Sequence, residues 1–302
     1  MIDLCTLGTG GTIPMPDRAL SSLYVRVKGR SLLIDCGEGT QVGVQRLGWG
    51  MQCIDGILLT HFHADHCSGL PGMLLALTKA QRQETLHIYG PAGLTRVVEG
   101  LRVIAPQLSF PVALHELEGG EAFECIGLQV TAFPLQHGMP CLGYRLHLPH
   151  PAAFEPEKAR ALGIPVQHWK TLQKGTPVTL EGVTYLPEQV LGAPRRGLTV
   201  LYATDTRPVE AIPEHGFRCD MMFLEGMYGP EEKLPLAIKN HHMLFREAAA
   251  LARDADAARL VLTHYSTSIE EPEEFLPLAQ AIFPDTACAQ DGMTWTLHYD
   301  RD

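Results

Sequence analysis

The chain has 302 residues, of which 45% are hydrophobic and 19% charged, and its formal net charge is −10. This is the composition of a folded globular protein, and it excludes the collagen-like and disordered classes. The acidic balance also argues mildly against indiscriminate nucleic-acid binding, because phosphate contacts need clustered Lys and Arg. No run of about 20 apolar residues occurs, which excludes a membrane-spanning helix.

The first residues, MIDLCTLGTGG, lack a basic region before an apolar one, so a secretory signal is not expected. Eight cysteines are scattered without any CxxC pair, and a disulfide framework is typical of much shorter secreted chains. We therefore expect reduced, mostly buried thiols and a cytoplasmic protein.

Taken in chain order, the apolar pattern predicts an alternation of strands and helices. Strands are predicted at IDLCTLG, SSLYVRV, RSLLIDCG and IDGILLTH, and helices at EGTQVGVQRLG and GLPGMLLALTKAQ. Further strands are predicted at ETLHIYG, CIGLQVTAFPL, CLGYRLHL, LTVLYATD, CDMMFLEG and ARLVLTHYS, and a helix at HHMLFREAAALARDA. The chain is therefore expected to adopt an α/β fold.

Residues 151–197 differ from the rest of the chain in being rich in Pro and Gly and slightly basic. Six basic residues stand against four acidic ones, a balance of +2 that leaves −12 for the remainder of the chain. We predict one domain over residues 1–302, with residues 151–197 inserted in it as a projecting arm.

The stretch THFHADHCSG follows a predicted strand and concentrates His61, His63, Asp65 and His66. Three imidazoles and a carboxylate would repel one another if protonated and would need many partners if neutral. A divalent metal resolves the conflict, because neutral imidazoles and carboxylates are its ligands. Alternation places His61 and His63 on one side of an extended segment, whereas Asp65 and His66 come after a turn and can approach a second metal.

Two metal sites need further ligands, and three downstream residues lie at carboxyl ends of predicted strands, where α/β folds place their sites. They are His137 in AFPLQHG, Asp205 in LYATD and His264 in LVLTHYS. A strand-end Asp alone is as often a capping residue. Together the three supply a bridging carboxylate and one more His for each metal.

HFHADH followed by His137, Asp205 and His264 resembles the ligand series of the metallo-β-lactamase superfamily. LGTGGTIPMP, LLIDCGEGTQ, ATDTRP, LEGMYG and HHMLFREAA resemble the ribonuclease Z family, the endonucleases that trim tRNA precursors at the 3′ end. The resemblance extends from residue 2 to about residue 270. It implies a four-layer αβ/βα sandwich of the metallo-β-lactamase type.

The resemblance also implies two zinc ions per chain, with manganese as the alternative. The first zinc would be bound by His61, His63 and His137, the second by Asp65, His66 and His264, and Asp205 would bridge them. Asp65 would in addition be a catalytic residue. Two metals about 3.5–4 Å apart can stabilise both the attacking and the leaving oxygen of an in-line displacement.

The same resemblance assigns His242 as the general acid that protonates the leaving ribose oxygen. Glu225 would accept a hydrogen bond from His242 and keep it protonated. The alternative for His242 is a surface residue at a helix N-terminus.

Other residues retain two interpretations each. Asp35 is either a helix cap or a partner that orients a ligand His. Cys67 is either a buried thiol, the favoured reading, or within reach of a metal. The resemblance implies that Lys170, Lys174, Arg195 and Arg196 contact substrate, although Arg195 and Arg196 also fit a solvated turn.

The function most strongly indicated is a tRNA 3′ endonuclease that hydrolyses a phosphodiester bond and leaves a 3′-hydroxyl on the tRNA. By resemblance, the arm would clamp the tRNA from the partner subunit of a homodimer, so that shape and phosphates are recognised rather than sequence. The alternative is a small-molecule phosphodiesterase, lactonase or arylsulfatase on the same fold. A non-catalytic binding protein is disfavoured because no ligand position is lost.

Overall fold

The structure is a computed structural model that describes residues 1–299. No helix in this range combines the length and the apolar character needed to cross a membrane. The strands are β1 (Ile2–Gly8), β2 (Ser22–Val27), β3 (Arg30–Ile34), β4 (Ile54–Leu58), β5 (Leu86–Pro91), β6 (Val112–Leu117), β7 (Ala122–Cys125), β8 (Leu128–Pro134), β9 (Leu142–His150), β10 (Val178–Leu180), β11 (Val183–Tyr185), β12 (Arg195–Ala203), β13 (Met221–Glu225), β14 (Leu260–Thr263), β15 (Thr286–Cys288) and β16 (Thr294–Leu297).

The helices between these strands are short. They are α1 (Thr40–Leu47), α2 (Ala64–Cys67), α3 (Leu70–Lys79), α4 (Leu94–Arg102), α5 (Pro156–Ala161), α6 (Trp169–Gln173), α7 (Ala211–Gly216), α8 (Leu234–Asn240), α9 (Phe245–Asp254) and α10 (Leu276–Gln280). Single 3-10 turns lie at Val166–His168, Pro187–Gln189, Glu231–Lys233 and Pro272–Glu274.

Two seven-stranded mixed sheets contain most of the strands. Their orders are β16–β1–β2–β3–β4–β5–β6 and β15–β14–β13–β12–β9–β8–β7. Strands β3 to β6 run parallel in the first sheet, and β12 to β15 run parallel in the second. Because the carboxyl ends of parallel strands share one edge of a sheet, the residues that follow β4, β12 and β14 are brought to defined edges.

Helices cover the outer faces of both sheets, and the inner faces pack against each other. Helices α1, α3 and α4 contribute Val44, Leu74 and Leu94 to a buried cluster with the first sheet. Helices α7, α9 and α10 contribute to the corresponding cluster of the second sheet. Between the sheets, the rings of Phe223 and Trp295 meet edge to face with centroids 5.4 Å apart. The α/β sandwich predicted from the sequence is confirmed.

The chain divides into two compact units. The larger comprises Met1–Leu148 and Leu198–His298, and the smaller comprises Pro149–Gly197 together with Tyr299. The smaller unit contains the hairpin β10–β11. It also has its own buried apolar cluster, formed by Ala159, Ile164, Leu172, Val178 and Val190. Residues 151–197, predicted to be an inserted arm, lie within this unit.

Each predicted strand and helix has a counterpart in the structure, but several boundaries differ. The last predicted helix began at His241, whereas α9 begins at Phe245 and leaves His242 in the preceding loop. Glu247 fixes this start, because its carboxylate accepts a hydrogen bond from the backbone N–H of Leu244 at 2.9 Å. Helices α2, α4, α5, α6, α7, α8 and α10 and strands β6, β7, β10, β11, β15 and β16 were not predicted, since their apolar patterns are short or interrupted.

Candidate metal centre

Loops that follow four strands carry the predicted ligands to one place. His61 and His63 follow β4, and Asp65 and His66 lie on the short helix α2. His137, Asp205 and His264 follow β8, β12 and β14. The first four therefore come from the first sheet and the last three from the second.

The first group of side chains is formed by His61, His63, His137 and Asp205. The Nδ1 atom of His63 lies 3.0 Å from Nε2 of His61 and 3.2 Å from Nε2 of His137. Oδ1 of Asp205 is 3.9 Å from Nε2 of His61. His63 is exposed and His137 is half-buried, so this group faces solvent on one side.

The second group, Asp65, His66 and His264, is buried. The Nε2 atoms of His66 and His264 are 3.1 Å apart. Oδ2 of Asp65 lies 3.3 Å from Nε2 of His264 and 3.5 Å from Nε2 of His66. Asp205 joins the two groups, because its Oδ2 is 3.1 Å from Nε2 of His66 and 3.2 Å from Nε2 of His264.

The geometry of these groups fits a pair of divalent transition-metal ions. Nitrogen atoms at about 3 Å would need one proton for each contact, whereas a cation accepts their lone pairs together. Oδ2 of Asp205 is buried and makes no hydrogen bond although two imidazole nitrogens face it. Imidazole ligands in this number suit transition metals rather than magnesium.

Electrostatics also favour a cation here. Burial lowers the pKa of His66, but the carboxylates of Asp205 and Asp35 outweigh burial and raise that pKa well above its ordinary value. Burial acts to raise the pKa of Asp65, yet its hydrogen bonds with His264 and His66 hold that pKa well below the usual range. The carboxylates therefore create a negative field that attracts positive charge to the centre.

Backbone strain accompanies the ligands. Asp205 and His264 adopt left-handed conformations, with φ of 60° and 54°, within two residues of the ends of β12 and β14. Non-glycine residues in this region cost energy and cluster at functional sites. At Gly11 a side chain is excluded, since a Cβ there would lie 2.7 Å from Cε1 of His264.

Asp35 is not a helix cap but a hydrogen-bond partner of the predicted ligand His66. It is fully buried, and Oδ2 lies 2.8 Å from Nδ1 of His66. Because a carboxylate only accepts, Nδ1 of His66 carries a proton, and Nε2 is the nitrogen that would present a lone pair to a bound metal. Oδ1 accepts from the backbone N–H of Thr60 at 2.8 Å.

Cys67 is a buried thiol, the interpretation that the sequence favoured. Its thiol donates to the carbonyl of His63 at 3.3 Å, and burial raises its pKa to about 11. It belongs to neither group of ligands within the described chain.

His242 and Glu225 form a pair beside the metal groups. Glu225 ends β13, is fully buried, and accepts from Nδ1 of His242 at 2.9 Å. Its carboxylate also accepts from the N–H groups of Thr206 at 2.7 Å and Met243 at 3.2 Å. Burial lowers the pKa of His242, but the charge and hydrogen bond of Glu225 more than compensate and raise it to about 9.

The basic residues predicted to contact substrate lie in the smaller unit. Lys170 and Lys174 are exposed on α6 and at its C-terminal end. Arg195 is half-buried, and its guanidinium donates to the carbonyl of Pro151 at 2.7 Å. Arg196 is exposed.

Comparison with known proteins accords with this centre. Residues 30–168 and 150–265 match the family described as "Beta-lactamase superfamily domain". Ribonuclease Z of Lachnospira eligens is 46% identical over 303 residues, which cover 100% of both chains. The chain belongs to the ribonuclease Z family. Ribonuclease Z of Clostridium kluyveri is 44% identical over 99% of each chain.

The fold agrees with the family assignment. The crystal structure of the short form of human tRNase Z superposes with a TM-score of 0.69 at 23% identity, covering 97% of this chain and 98% of that one. The relatives at 46% and 44% identity confirm the resemblance to the ribonuclease Z family inferred from sequence motifs. The fold and the His and Asp clusters together support a metal cofactor.

The sequence did not indicate three partners of this ribonuclease Z centre. The backbone N–H of Thr12 donates to Oδ2 of Asp65 at 2.6 Å. Arg207 contacts the loop of His242 and forms an ion pair with Glu247. ATDTRP placed Arg207 near the site, but only the structure reveals a partner 40 residues away.

Proposed function

We propose that this chain is a zinc-dependent endoribonuclease that removes 3′ extensions from tRNA precursors by hydrolysing a phosphodiester bond. The observation that carries the proposal is the convergence of two ligand groups with the pair His242–Glu225, in a chain of the ribonuclease Z family. The product would be a tRNA with a free 3′-hydroxyl.

Each residue of the centre has a proposed role. His61, His63 and His137 would hold one zinc, while Asp65, His66 and His264 would hold the other and Asp205 would bridge. When bound, the two ions supply Lewis-acid activation of water and neutralise charge on the phosphate. Asp65 is supported in its place by the N–H of Thr12, and His66 by Asp35.

His242 is proposed to be the general acid. Because Nδ1 donates to Glu225, the opposite nitrogen, Nε2, is the one left to deliver a proton. The side chain is 13% exposed and Oδ1 of Asp205 is 3.9 Å from Nδ1, so the ring lies beside the predicted ligands. With Asp205 and His264 it also forms a third group that could hold a metal ion, so the test measures metal content as well. A ribose oxygen is a poor leaving group and needs this proton as the P–O bond breaks.

The test of this assignment compares two substrates whose leaving groups differ. In His242→Ala, cleavage of a 3′-extended pre-tRNA should slow by roughly 10²–10⁴-fold, the loss typical of a missing general acid. Hydrolysis of bis(p-nitrophenyl) phosphate should fall much less, because a stabilised phenolate leaves without protonation. Glu225→Gln should show a milder version, since Glu225 only orients and charges the imidazole.

Both variants should keep two metals per chain by elemental analysis. An equal loss on both substrates, or a missing metal in His242→Ala, would place His242 in the coordination shell instead. Failure of the unaltered protein to cleave pre-tRNA while it hydrolyses the chromogenic ester would favour a small-molecule hydrolase.

We also propose that residues 151–197 dock the tRNA. The exposed ammonium groups of Lys170 and Lys174 suit phosphate contacts in an otherwise acidic chain. Replacing both with Gln should reduce the slope of log affinity against log salt concentration by about two, because each lost phosphate contact removes roughly one unit. An unchanged slope would mean that neither lysine touches the phosphates. Arg195 is a weaker candidate than the two lysines, because its guanidinium already donates to the carbonyl oxygen of Pro151.

The proposed assembly is a homodimer in which the arm of one subunit reaches the tRNA held by its partner. Sedimentation equilibrium of the purified chain tests this, and a monomer that cleaves pre-tRNA at full rate would contradict it. The eight cysteines are free thiols, which suits the reducing cytoplasm as the proposed location.

A further inference from the structure

We propose that Arg207 is a positioning residue that sets the place of His242 relative to the metal ligands. The inference rests on the proposed role of His242 as general acid and adds the residue that controls its geometry. Arg207 lies two positions after Asp205, and its guanidinium reaches across to the loop that carries His242.

Three hydrogen bonds fix the guanidinium. It forms a two-pronged ion pair with Glu247, in which one prong measures 3.0 Å, and it donates to the carbonyl oxygen of His242. The side chains of Arg207 and Glu247 are only 15% and 13% exposed. Planar, two-pronged pairs of this kind are geometrically specific, and partial burial protects them from screening by salt.

Backbone hydrogen bonds next to Arg207 connect it to the segment that carries the predicted ligand His137. The N–H of Arg207 donates to the carbonyl of Gln136 at 3.1 Å, and the hydroxyl of Thr206 accepts from the N–H of Gln136 at 3.0 Å. Gln136 directly precedes His137. Residues 205–207 are therefore hydrogen-bonded to the segment of His137. The guanidinium of Arg207 thus extends from backbone that is held next to two predicted ligands, Asp205 and His137.

His242 itself stands in a loop and needs such a frame. It precedes α9, and its N–H donates to the carbonyl of Ala237 at 2.8 Å. Glu247, the partner of Arg207, also accepts from the N–H of Leu244 at 2.9 Å. Arg207 thus holds the loop at its carbonyl and, through Glu247, at the start of the helix, on both sides of Met243.

Glu225 orients the imidazole ring of His242, whereas Arg207 positions the backbone on which that ring is carried. If the guanidinium is lost, the ring keeps its partner but the loop is free to shift. A misplacement of about 1 Å can cost about 10²-fold in rate, and only steps that need the proton of His242 should be affected.

The experiment compares Arg207→Gln with Arg207→Lys and with Arg218→Gln, which breaks an exposed ion pair to Asp256 as a matched control. In Arg207→Gln, kcat on 3′-extended pre-tRNA should fall about 10–100-fold with KM changed less than about threefold. Hydrolysis of bis(p-nitrophenyl) phosphate and the metal content should be unchanged. Arg207→Lys should recover part of the rate, because an ammonium supplies charge and one donor but no fork.

A second readout does not depend on activity. The imidazole NMR signal of His242, identified by its loss in His242→Ala, should shift or broaden in Arg207→Gln and stay unchanged in Arg218→Gln. If Arg207→Gln fails to fold, Glu247→Gln removes the same ion pair and should give the same substrate-dependent loss.

The two proposals fail in different ways. Equal loss of both substrates in His242→Ala would overturn the acid assignment itself. A substrate-dependent loss in His242→Ala without one in Arg207→Gln would overturn the positioning role alone. Loss of metal from folded Arg207→Gln, or an unshifted imidazole signal of His242 in that variant, would also overturn the positioning role of Arg207.

Discussion

Replacing Asp35 with Asn should weaken one metal site while leaving the fold intact. Asp35 has a left-handed backbone with φ of 62°, which Asn tolerates, and the two side chains have nearly the same size. The amide oxygen can still accept from the N–H of Thr60, as Oδ1 does at 2.8 Å. The amide NH₂ then faces Nδ1 of His66, where a carboxylate oxygen lies at 2.8 Å in the unaltered protein.

Two donors cannot face each other, so His66 must move its proton to Nε2. That atom lies 3.1 Å from Oδ2 of Asp205 and 3.1 Å from Nε2 of His264, where the lone pair is needed. If the amide of Asp35→Asn is flipped, its oxygen faces His66 and its NH₂ group faces the backbone N–H of Thr60, which is also a donor. Either mismatch leaves a buried group mispaired at a cost of about 1–3 kcal/mol.

The expected loss of metal affinity follows from this cost. At about 1.4 kcal/mol for each factor of ten, it corresponds to a roughly 5–140-fold weaker second site, a range that contains the roughly 10–100-fold effect usual for a changed outer partner. The assay is competition for zinc between the metal-free protein and a chromophoric chelator. One of two bound ions should become easier to remove, while the ion of the His61, His63 and His137 group stays tight.

Asp3→Asn provides the matched control. Asp3 is also buried, at 7% exposure, but it accepts from Arg26 at 3.0 Å and from Thr296 at 2.9 Å and makes no hydrogen bond to a predicted ligand in the described chain. It should leave zinc affinity unchanged. Unchanged affinity in Asp35→Asn, or an equal effect in both variants, would refute the reasoning from the tautomer of His66.

Three further predictions concern the ligands and the smaller unit. Asp205→Ala should lose both metal occupancy and activity, and elemental analysis showing two retained ions would contradict its bridging role. Gly11→Ala should displace His264 and lower zinc affinity, because the added Cβ would lie 2.7 Å from that ring; Gly138→Ala, with nothing within 4 Å, should not. Deleting residues 151–197 should abolish pre-tRNA cleavage but spare bis(p-nitrophenyl) phosphate, and equal loss in a folded variant would argue against docking.

The sequence was sufficient for features that follow from local pattern. A short apolar run located β4, and the crowding of polar side chains after it predicted His61 and His63 as ligands. Strand-end position then singled out Asp205 and His264, and the structure brings all of them together. Their left-handed backbones were not predictable, because strand propensity carries no information about how a strand ends.

Side-chain contacts between residues far apart in the sequence could not be predicted from local sequence patterns. Asp35 allowed two readings because Thr60, its partner, is 25 residues away. Arg207 and Glu247 each lie in a motif that resembles the family, but nothing in the sequence indicated that they pair, since an Arg and a Glu on polar segments are usually solvated. The helix boundary near His242 was wrong for the same reason, because the hydrogen bond from Leu244 to Glu247 rather than composition ends the loop.

The origin of the ligands in both sheets has a consequence for how the protein matures on the ribosome. His66 and His264 meet although 198 residues separate them, so the second site has no complete precursor in any shorter nascent chain. The first sheet can pair most of its strands early, and the first ligand group is complete at residue 205, but the second group is complete only once residue 264 has emerged and the second sheet has closed against the first. We therefore expect a growing chain to be unable to cut RNA next to the ribosome. Hydrolytic competence would then arise in one late step, when closure of the two sheets completes the second ligand group.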